Sequence, residues 1–431
     1  MKFLKSVSWN VAGQLAGALT GVLISVVLAH GLGPSGRGVY ALATVASAMV
    51  VLAINLGLGQ AAIYYMGQGA YALPLIAGNL FSMSWIIGVP VAVLIVLGVP
   101  TLAPRLPPEL PIALVYAVIM LTPVALGRLY VGHLFAGLQD FKKYNIVLIV
   151  EQGARLFLLS AVWLAGGGLA AAVGSYAVST VLAATCGWYW ARREVGRFQL
   201  KPQHQVMARL ASFGVRSYST VLLAYLNRRF DMFLVGFFLD STAVGVYAVA
   251  VSLSELVRQI PNALTLVLFS RVAELPAEDA TKLTGLVARV TISVVTMAAL
   301  VILVIAHCFI AGLFGVEFVT ASRALQLLMP GIVISSLANI VYSDIAGRGK
   351  PEIGLYATIA GFGTMLAADL VLIPSWGIDG AALASTIAYT VYAIIIVGAY
   401  LAISREKLRH LLWITADDLS TFRLVVSRFR A

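Results

Sequence analysis

The sequence predicts an all-α integral membrane protein of twelve transmembrane helices, built as two six-helix lobes related by a parallel repeat, with both termini in the cytoplasm. Apolar residues make up 61% of the chain and charged residues 11%, whereas soluble domains carry about 25% charged residues. Three observations predict this class. Long apolar stretches recur along the chain, two look-alike segments lie half a chain apart, and basic residues gather in alternate loops.

Apolar stretches long enough to cross a hydrocarbon layer of roughly 30 Å recur from end to end. The first is too long for a cleavable signal peptide, and it carries Gly13, Gly17 and Gly21 at a helical spacing suited to close helix packing. The predicted spans are 6–29, 38–66, 73–99, 110–136, 143–165, 168–191, 206–238, 242–269, 284–311, 321–346, 352–373 and 379–403.

Two segments that lie 207 residues apart, 38–41 and 245–248, both read Gly-Val-Tyr-Ala and open their spans. Such internal repeats are typical of secondary transporters made of two related bundles. Because each half has an even number of spans, both halves enter the membrane the same way round. The predicted units are an N-lobe over 1–191, a cytoplasmic linker over 192–205, a C-lobe over 206–403 and a basic tail over 404–431.

The loop charges predict the orientation. With both termini inside, 20 Lys and Arg fall on the inside, and three, Arg37, Arg105 and Arg323, fall in outside loops. This distribution follows the positive-inside rule, so the net charge of +11 reflects topology and no nucleic-acid partner is expected. The tail over 404–431 places apolar residues at helical spacing among arginines, which favours a basic amphipathic helix on the inner leaflet over a poorly ordered tail.

The sequence carries no pattern for catalysis, for a metal or for a cofactor. Cys186 and Cys308 lie in opposite halves, and there is no His/Cys/carboxylate cluster, phosphate loop or Gly-x-Ser-x-Gly motif. The predicted outside loops are too short to hold a catalytic domain, which disfavours a membrane-embedded polymerase or ligase. We therefore expect a protein that is not an enzyme and needs no cofactor.

Three segments carry a family resemblance: 31–43 (GLGPSGRGVYALA), 227–231 (NRRFD) and 328–331 (LMPG). They resemble the polysaccharide biosynthesis family, the Wzx-type flippases of the MOP superfamily. The resemblance implies a MATE-like fold that moves a polyprenyl-pyrophosphate-linked oligosaccharide across the bacterial inner membrane by alternating access. The expected partners are this lipid-linked oligosaccharide, membrane lipids, H+ or Na+, a glycan polymerase and assembly proteins.

Two relatives of that family are weighed against this interpretation. Peptidoglycan-precursor flippases of the same superfamily usually carry two additional spans, which the predicted twelve do not provide. A MATE-like multidrug or cation antiporter shares the repeat architecture and remains the alternative. Its cavity would be dominated by acids and aromatic residues, whereas the spans here hold six arginines against five acids: Glu151, Asp231, Glu255, Asp344 and Asp369.

A charge at the bilayer centre costs at least about 2.5 kcal/mol, so each one needs a reason. Six arginines and no lysine lie deep within the predicted spans, more than five residues from either end, and the planar fork of arginine pairs bidentately with phosphate. We predict that they bind the substrate together with four polar neighbours. The predicted substrate-binding residues are Arg128, Arg155, Arg216, Arg228, Arg229, Arg258, Gln259, Asn262, Asn10 and Gln14.

Some of these arginines have structural alternatives. Arg155 follows Glu151 at i, i+4, the favourable order for an intrahelical pair. At least one of Arg228 and Arg229 is expected to snorkel to the membrane interface. Arg128 has no acid within a turn, so we expect it to present a free positive charge to a cavity.

Four acids are candidates for coupling transport to an ion gradient: Asp369, Glu255, Glu151 and Asp231. Asp369 is the leading candidate because it has no basic neighbour within a turn of its own helix. Asp344 stands four residues before Arg348 and is expected to be structural.

Overall fold

The structure is a computed structural model that describes residues 2–102, 111–200, 203–272 and 275–412. Regular structure in these ranges is entirely helical, which confirms the all-α class. The first part of the chain forms α1 (Lys2–Ile54), α2 (Leu58–Gly67), α3 (Leu73–Leu102), α4 (Ile112–Met120), α5 (Thr122–Gly137), α6 (Phe141–Leu164) and α7 (Leu169–Val195). The second part forms α8 (His204–Phe238), α9 (Ser241–Val272), α10 (Ala277–Phe314), α11 (Ala321–Gly347), α12 (Glu352–Ser404) and α13 (Arg409–Leu412).

Within the described ranges, nine helices are long and apolar enough to cross a membrane. Two of them contain a sharp bend at a glycine: Gly33 in α1 has φ 64°, and Gly377 in α12 has φ 59°. These left-handed conformations suit glycine because it has no Cβ. Each bend divides one long helix into two segments at the junctions between predicted spans. The count of twelve spans stays a prediction.

Two predicted spans are interrupted. The span predicted over 38–66 is not one continuous helix, because Leu56 and Gly57 both adopt left-handed backbone between α1 and α2. The span predicted over 110–136 is divided at Leu121 into α4 and α5. Pro123 lies in the first turn of α5, where a proline is tolerated because its missing N–H has no partner within the helix.

One end of the bundle carries residues of the predicted inside loops, and we call it the basic end. There Lys143 pairs with Glu194, and Arg348 donates to the Thr281 hydroxyl at 2.7 Å. We call the other end the opposite end; it holds Gly33 and the pair between Arg323 and Asp379, whose N–O distance is 3.1 Å. Arg105, predicted at that end, lies outside the described residues.

The two look-alike segments pack against each other at the opposite end. A Cβ on Gly38 would lie 1.7 Å from the Ser241 carbonyl oxygen, and a Cβ on Gly245 would lie 1.9 Å from the Pro34 carbonyl oxygen. The contact is reciprocal, because Ser241 and Gly245 follow Pro34 and Gly38 at the repeat offset of 207 residues. Backbone meets backbone here, so neither position accepts a larger residue without a shift.

Arg37 reinforces this contact. It is 3% exposed and donates to the Gly245 carbonyl oxygen and to the Ser25 hydroxyl. Its assignment to an exposed outside loop is therefore wrong: the helix resumes directly after Gly33, which turns the Arg37 guanidinium into the interface. A hydrogen bond of 2.9 Å between the hydroxyls of Ser35 and Ser241 adds to the contact.

A second glycine contact joins the same two parts of the chain at the basic end. A Cβ on Gly57 would lie 2.2 Å from the Gly214 carbonyl oxygen, and a Cβ on Gly214 would lie 2.5 Å from that of Leu56. Nearby, the rings of Tyr64 and Phe213 stack with centroids 4.3 Å apart. The α1–α2 junction thus touches α8 at one end while α1 touches α9 at the other.

The buried apolar residues form clusters that hold these contacts in place. One cluster crosses between the halves of the chain and includes Leu42 of α1, Met232 of α8 and Tyr247 of α9. Another lies around Leu126, Tyr130 and other residues of α2, α3, α5 and α7, and it extends to the start of α8. The tail prediction is described only as far as α13, since 413–431 lie outside the described residues.

We predict that Gly38→Ala separates the two look-alike segments. Overpacking costs about 1–3 kcal/mol, and here the obstacle is backbone that a rotamer change cannot clear. In a background with Cys186 and Cys308 replaced by Ala, the pair Ser35→Cys and Ser241→Cys should form a disulfide, and Gly38→Ala should reduce its yield severalfold. Gly21→Ala is the matched control, because a Cβ there meets nothing within 4 Å. An unchanged yield with Gly38→Ala would contradict the contact.

Candidate functional site

Two polar cavities lie inside the bundle. The larger, which we call the C-lobe cavity, has a volume of about 730 Å³ and extends from mid-bundle toward Ala346 and Pro351 at the basic end. Helices α8, α9, α11 and α12 supply its walls. Its polar lining includes Asn227, Arg228, Glu255, Arg258, Asn262, Asn339, Tyr389 and Tyr392.

The second cavity lies between the two halves of the chain, and we call it the interlobe cavity. It has a volume of about 410 Å³, with walls from α1, α6, α7, α8 and α9. Its polar lining includes Ser25, Arg37, Tyr40, Glu151, Arg155, Tyr176, Tyr225 and Arg229. Both cavities therefore hold more arginines than acids.

One ionic network connects the two cavities. Glu255 lies 3.6 Å from the Arg229 guanidinium and 3.9 Å from that of Arg258. Arg229 faces the interlobe cavity, while Arg228 and Arg258 line the C-lobe cavity. Three arginines thus surround one carboxylate, which leaves the centre of the bundle with excess positive charge. The Arg258 guanidinium also lies over the Tyr389 ring, 4.7 Å from its centroid.

The structure changes the interpretation of Arg228 and Arg229. The prediction that at least one of them snorkels to the membrane interface is wrong. Arg228 lines the C-lobe cavity and Arg229 lines the interlobe cavity, both in the middle of the bundle. Asp231 does not complete a pair with Arg228. Its carboxylate instead accepts from the Tyr247 hydroxyl at 2.6 Å and the Ser385 hydroxyl at 3.2 Å.

Arg128 is not the free positive charge that we predicted from the lack of an acid within a turn of its own helix. Its guanidinium pairs with Glu151 on α6, and Glu151 also accepts from Arg155 at 2.9 Å. Spacing along α5 could not reveal a partner on another helix. Arg155, as predicted, pairs with Glu151, and it also lies 4.6 Å from the Tyr176 ring centroid and donates to Ser179 at 3.2 Å.

The remaining predicted substrate residues fall into two groups. Asn262 lines the C-lobe cavity, but Gln259 does not; it borders a groove with Gly13, Gly17 and Gln152 of α1 and α6. Gln259 is therefore separated from Arg258 and Asn262, because α9 presents that side toward the first half of the chain. The side chains of Asn10, Gln14 and Arg216 lie outside those that the structure describes.

Two of the buried acids in the second half of the chain, Asp231 and Asp369, are neighbours. Asp369 of α12 is 0% exposed, and neither of its carboxylate oxygens has a hydrogen-bond partner among the described residues. Asp231 lies near enough to act on it electrostatically. The Tyr247 and Ser385 hydroxyls complete a small oxygen-rich site. Uncompensated buried carboxylates are costly, so this set suits a proton or a hard cation.

Other acids have clear structural partners. Asp344 pairs with Arg348, as predicted, and accepts from the Thr284 hydroxyl at 2.6 Å. Across the described residues, no group of three or more His, Cys, Asp or Glu side chains could hold a metal ion, and Cys186 and Cys308 are free thiols.

Sequence comparison gives the family. A family model described as polysaccharide biosynthesis protein matches residues 3–276, more than half of the chain. The chain belongs to this family. It is also similar to the probable low-salt glycan biosynthesis flippase Agl15 of Haloferax volcanii, with 23% identity over 257 residues. That match covers 58% of this chain and spans about half of the relative, 54% of its length.

Solved structures show the same fold. The inward-facing conformation of a multidrug resistance MATE family transporter of the MOP superfamily aligns with a TM-score of 0.76 at 16% identity, covering 92% of this chain and 98% of that one. The lipid II flippase MurJ in an inward closed conformation aligns with a TM-score of 0.76 at 11% identity, covering 97% of this chain and 92% of that one. The chain thus shares the fold of these two solved transporters.

Several cavity residues were missed by the sequence reasoning. Arginine guanidiniums stack over the rings of Tyr176 and Tyr389, and Asn339 lines the C-lobe cavity. Nothing in the local sequence distinguishes these three residues from packing residues. Arg37 could have been found, because it lies inside a repeated segment whose other copy has no arginine.

We predict that Glu151→Gln lowers thermal stability substantially, since it leaves Arg128 and Arg155 without their shared acid. Removing one partner of a buried ion pair costs about 3–5 kcal/mol. The control is Glu194→Gln, because Glu194 is 46% exposed against 13% for Glu151, and exposed pairs contribute about 0–1 kcal/mol. The measurement is the melting temperature of each purified variant; equal melting temperatures would assign Glu151 to function alone.

Proposed function

We propose that this protein is a flippase that moves a lipid-linked oligosaccharide across the membrane. The observation that carries the proposal is the excess of arginine around Glu255 at the centre of the bundle, where Arg228, Arg229 and Arg258 face two connected cavities. Family membership and the similarity to a glycan biosynthesis flippase support it. A pyrophosphate joins lipid to sugar in such a substrate, and guanidinium groups bind phosphate bidentately.

The rest of the lining fits the sugar part of this cargo. The C-lobe cavity volume of about 730 Å³ falls within the range of roughly 300–1,000 Å³ usual for small-molecule sites. Asn262, Asn339 and Tyr392 offer amide and hydroxyl groups that can exchange hydrogen bonds with sugar hydroxyls. We propose that the arginines bind the pyrophosphate and that these neutral groups bind the first sugars.

The two glycine contacts suggest how the cargo would cross. The contact of Gly38 with Ser241 closes the opposite end, and that of Gly57 with Gly214 joins the halves at the basic end. We propose alternating access in which transport breaks these contacts in turn, with 1–191 and 206–403 moving as lobes. With twelve spans and both termini cytoplasmic, the basic end would face the cytoplasm of a bacterial inner membrane.

A cation exporter is the second candidate, since the cavities contain tyrosines that could bind a cationic drug. However, the Arg258 and Arg155 guanidiniums already lie over the Tyr389 and Tyr176 rings. The faces of these two tyrosines are therefore already occupied by the protein's own positive charges. This arrangement favours an anionic cargo over a cationic one.

We also propose that Asp369 and Asp231 bind the coupling ion, H+ or Na+. Neither carboxylate oxygen of Asp369 has a hydrogen-bond partner among the described residues, and the Tyr247 and Ser385 hydroxyls converge on the neighbouring Asp231. Glu151 and Glu255 are weaker candidates because each lies between two arginines. Glycan polymerase and assembly proteins stay expected partners.

We predict that Arg258→Ala abolishes flipping of a polyprenyl-pyrophosphate oligosaccharide in proteoliposomes, whereas Arg258→Lys retains part of it, since lysine keeps the charge but loses the fork. Arg323→Ala is the control because Arg323 is 76% exposed at the opposite end. The same vesicles should not accumulate a cationic dye. Full flipping by both Arg258→Ala and Arg228→Ala at normal protein levels would overturn the proposed substrate site, and dye transport would favour the exporter.

We predict that Asp369→Asn removes the response of flipping to an imposed pH or Na+ gradient while substrate still binds. The amide keeps the size of the side chain but cannot carry the negative charge that holds the ion. Asp379→Asn is the control on the same helix, since Asp379 pairs with Arg323 at the opposite end. A gradient response in Asp369→Asn equal to that of the unmodified protein would assign Asp369 to packing.

A further inference from the structure

A third cavity lies at the basic end, apart from the two described above. It has a volume of about 530 Å³ and is formed by the start of α10, the end of α12 and the segment leading through α13. Lys282, Arg289, Arg409 and His410 line it together with one acid, Glu406. Its charged lining is therefore predominantly basic, and none of these residues belongs to the proposed substrate or ion sites.

The segment around α13 is fixed to the bundle rather than loosely attached. Leu411 is 1% exposed and packs in an apolar cluster with Ala288 and Tyr400. Arg289 donates to the His410 carbonyl oxygen, and His410 pairs with Glu406 at 2.6 Å. These contacts build the outer wall of the cavity, so the space is a formed pocket between three chain segments.

The position of the pocket matches the headgroup layer. Helix α10 has 38 residues, about 57 Å at 1.5 Å per residue, and so is longer than the roughly 30 Å hydrocarbon core. Its first turns, which hold Lys282 and Arg289, therefore extend beyond the hydrocarbon at the basic end. A lipid headgroup at that depth would reach the pocket without leaving its leaflet.

An apolar track leads away from the pocket along the same helix. Gly285 and Arg289 line the pocket, and Met297, Leu300 and Val304 continue their face at helical spacing. These three are 63%, 51% and 82% exposed, as expected of side chains that contact lipid. A phosphate in the pocket would therefore stand above a surface on which acyl chains can lie.

We infer that this pocket binds the phosphate of an anionic phospholipid headgroup. Guanidinium and ammonium groups between membrane helices on the cytoplasmic side form such sites. Gly285 lets the Arg289 guanidinium lie close against α10, since a Cβ there would lie 3.1 Å from one of its nitrogens. The bound lipid would hold α13 against α10 and α12. This inference does not depend on the proposed transport activity.

The test uses the full-length purified protein and measures its melting temperature during titration with phosphatidylglycerol, with phosphatidylcholine and with inorganic phosphate. Phosphatidylglycerol should raise the melting temperature and the other two should not. The double variant Lys282→Gln with Arg409→Gln should weaken phosphatidylglycerol binding roughly 30-fold. Each basic residue near an anionic lipid raises the affinity about five- to six-fold, and the variant removes two. Both side chains are exposed, so the variant should fold normally.

Lys142→Gln with Arg192→Gln is the matched control, since it removes the same charge from exposed positions at the basic end, away from the pocket. It should bind phosphatidylglycerol like the unmodified protein. Equal weakening by both double variants would mean a diffuse charge effect and would overturn the site. If inorganic phosphate raised the melting temperature as much as phosphatidylglycerol, the pocket would be a site for free phosphate. If phosphatidylcholine did so, the pocket would not require an anionic headgroup. Either result would overturn the lipid inference.

Discussion

The close backbone contact between the two look-alike segments is the constraint on which the rest of the structure depends. Gly38 and Gly245 let α1 and α9 approach until carbonyl oxygens of one segment lie where a side chain would start on the other. This contact sets the distance between the halves of the chain at the opposite end. It therefore also sets the width of the interlobe cavity, whose walls include Arg37, Arg155 and Arg229. A larger residue at either glycine would separate the groups that share this space.

The charged residues follow a second constraint, since hydrocarbon does not solvate them. The structure satisfies it by pairing arginine with carboxylate and by stacking guanidinium on tyrosine, as for Arg258 with Glu255 and Tyr389. The carboxylates are too few to pair with every arginine. Glu255 pairs with two arginines and has a third nearby, and Glu151 pairs with two. The surplus positive charge is what an anionic headgroup could neutralise, and it is located where both halves of the chain meet.

Two acids, Asp369 of α12 and Asp231 of α8, represent the reverse case. They lie together with hydroxyl groups and, among the described residues, no hydrogen bond reaches Asp369. The second half of the chain thus holds an arginine-rich cavity and a pair of buried acids, and α8 contributes to both. Because Arg228 and Asp231 lie one turn apart on α8, movement of this helix would affect the proposed cargo site and the proposed ion site together.

The sequence alone determined the class of protein, because apolar length and loop charge act locally on each span. It also located the repeat, the arginines and Asp369, since a charge in an apolar segment is visible without knowing its neighbours. Only the tertiary structure decided which partner each charge has. Arg128 finds Glu151 on another helix, Arg37 turns into the interface after the bend at Gly33, and Gln259 faces away from Arg258. These outcomes depend on how helices distant in sequence rotate and pack, and spacing within one helix carries no information about that rotation.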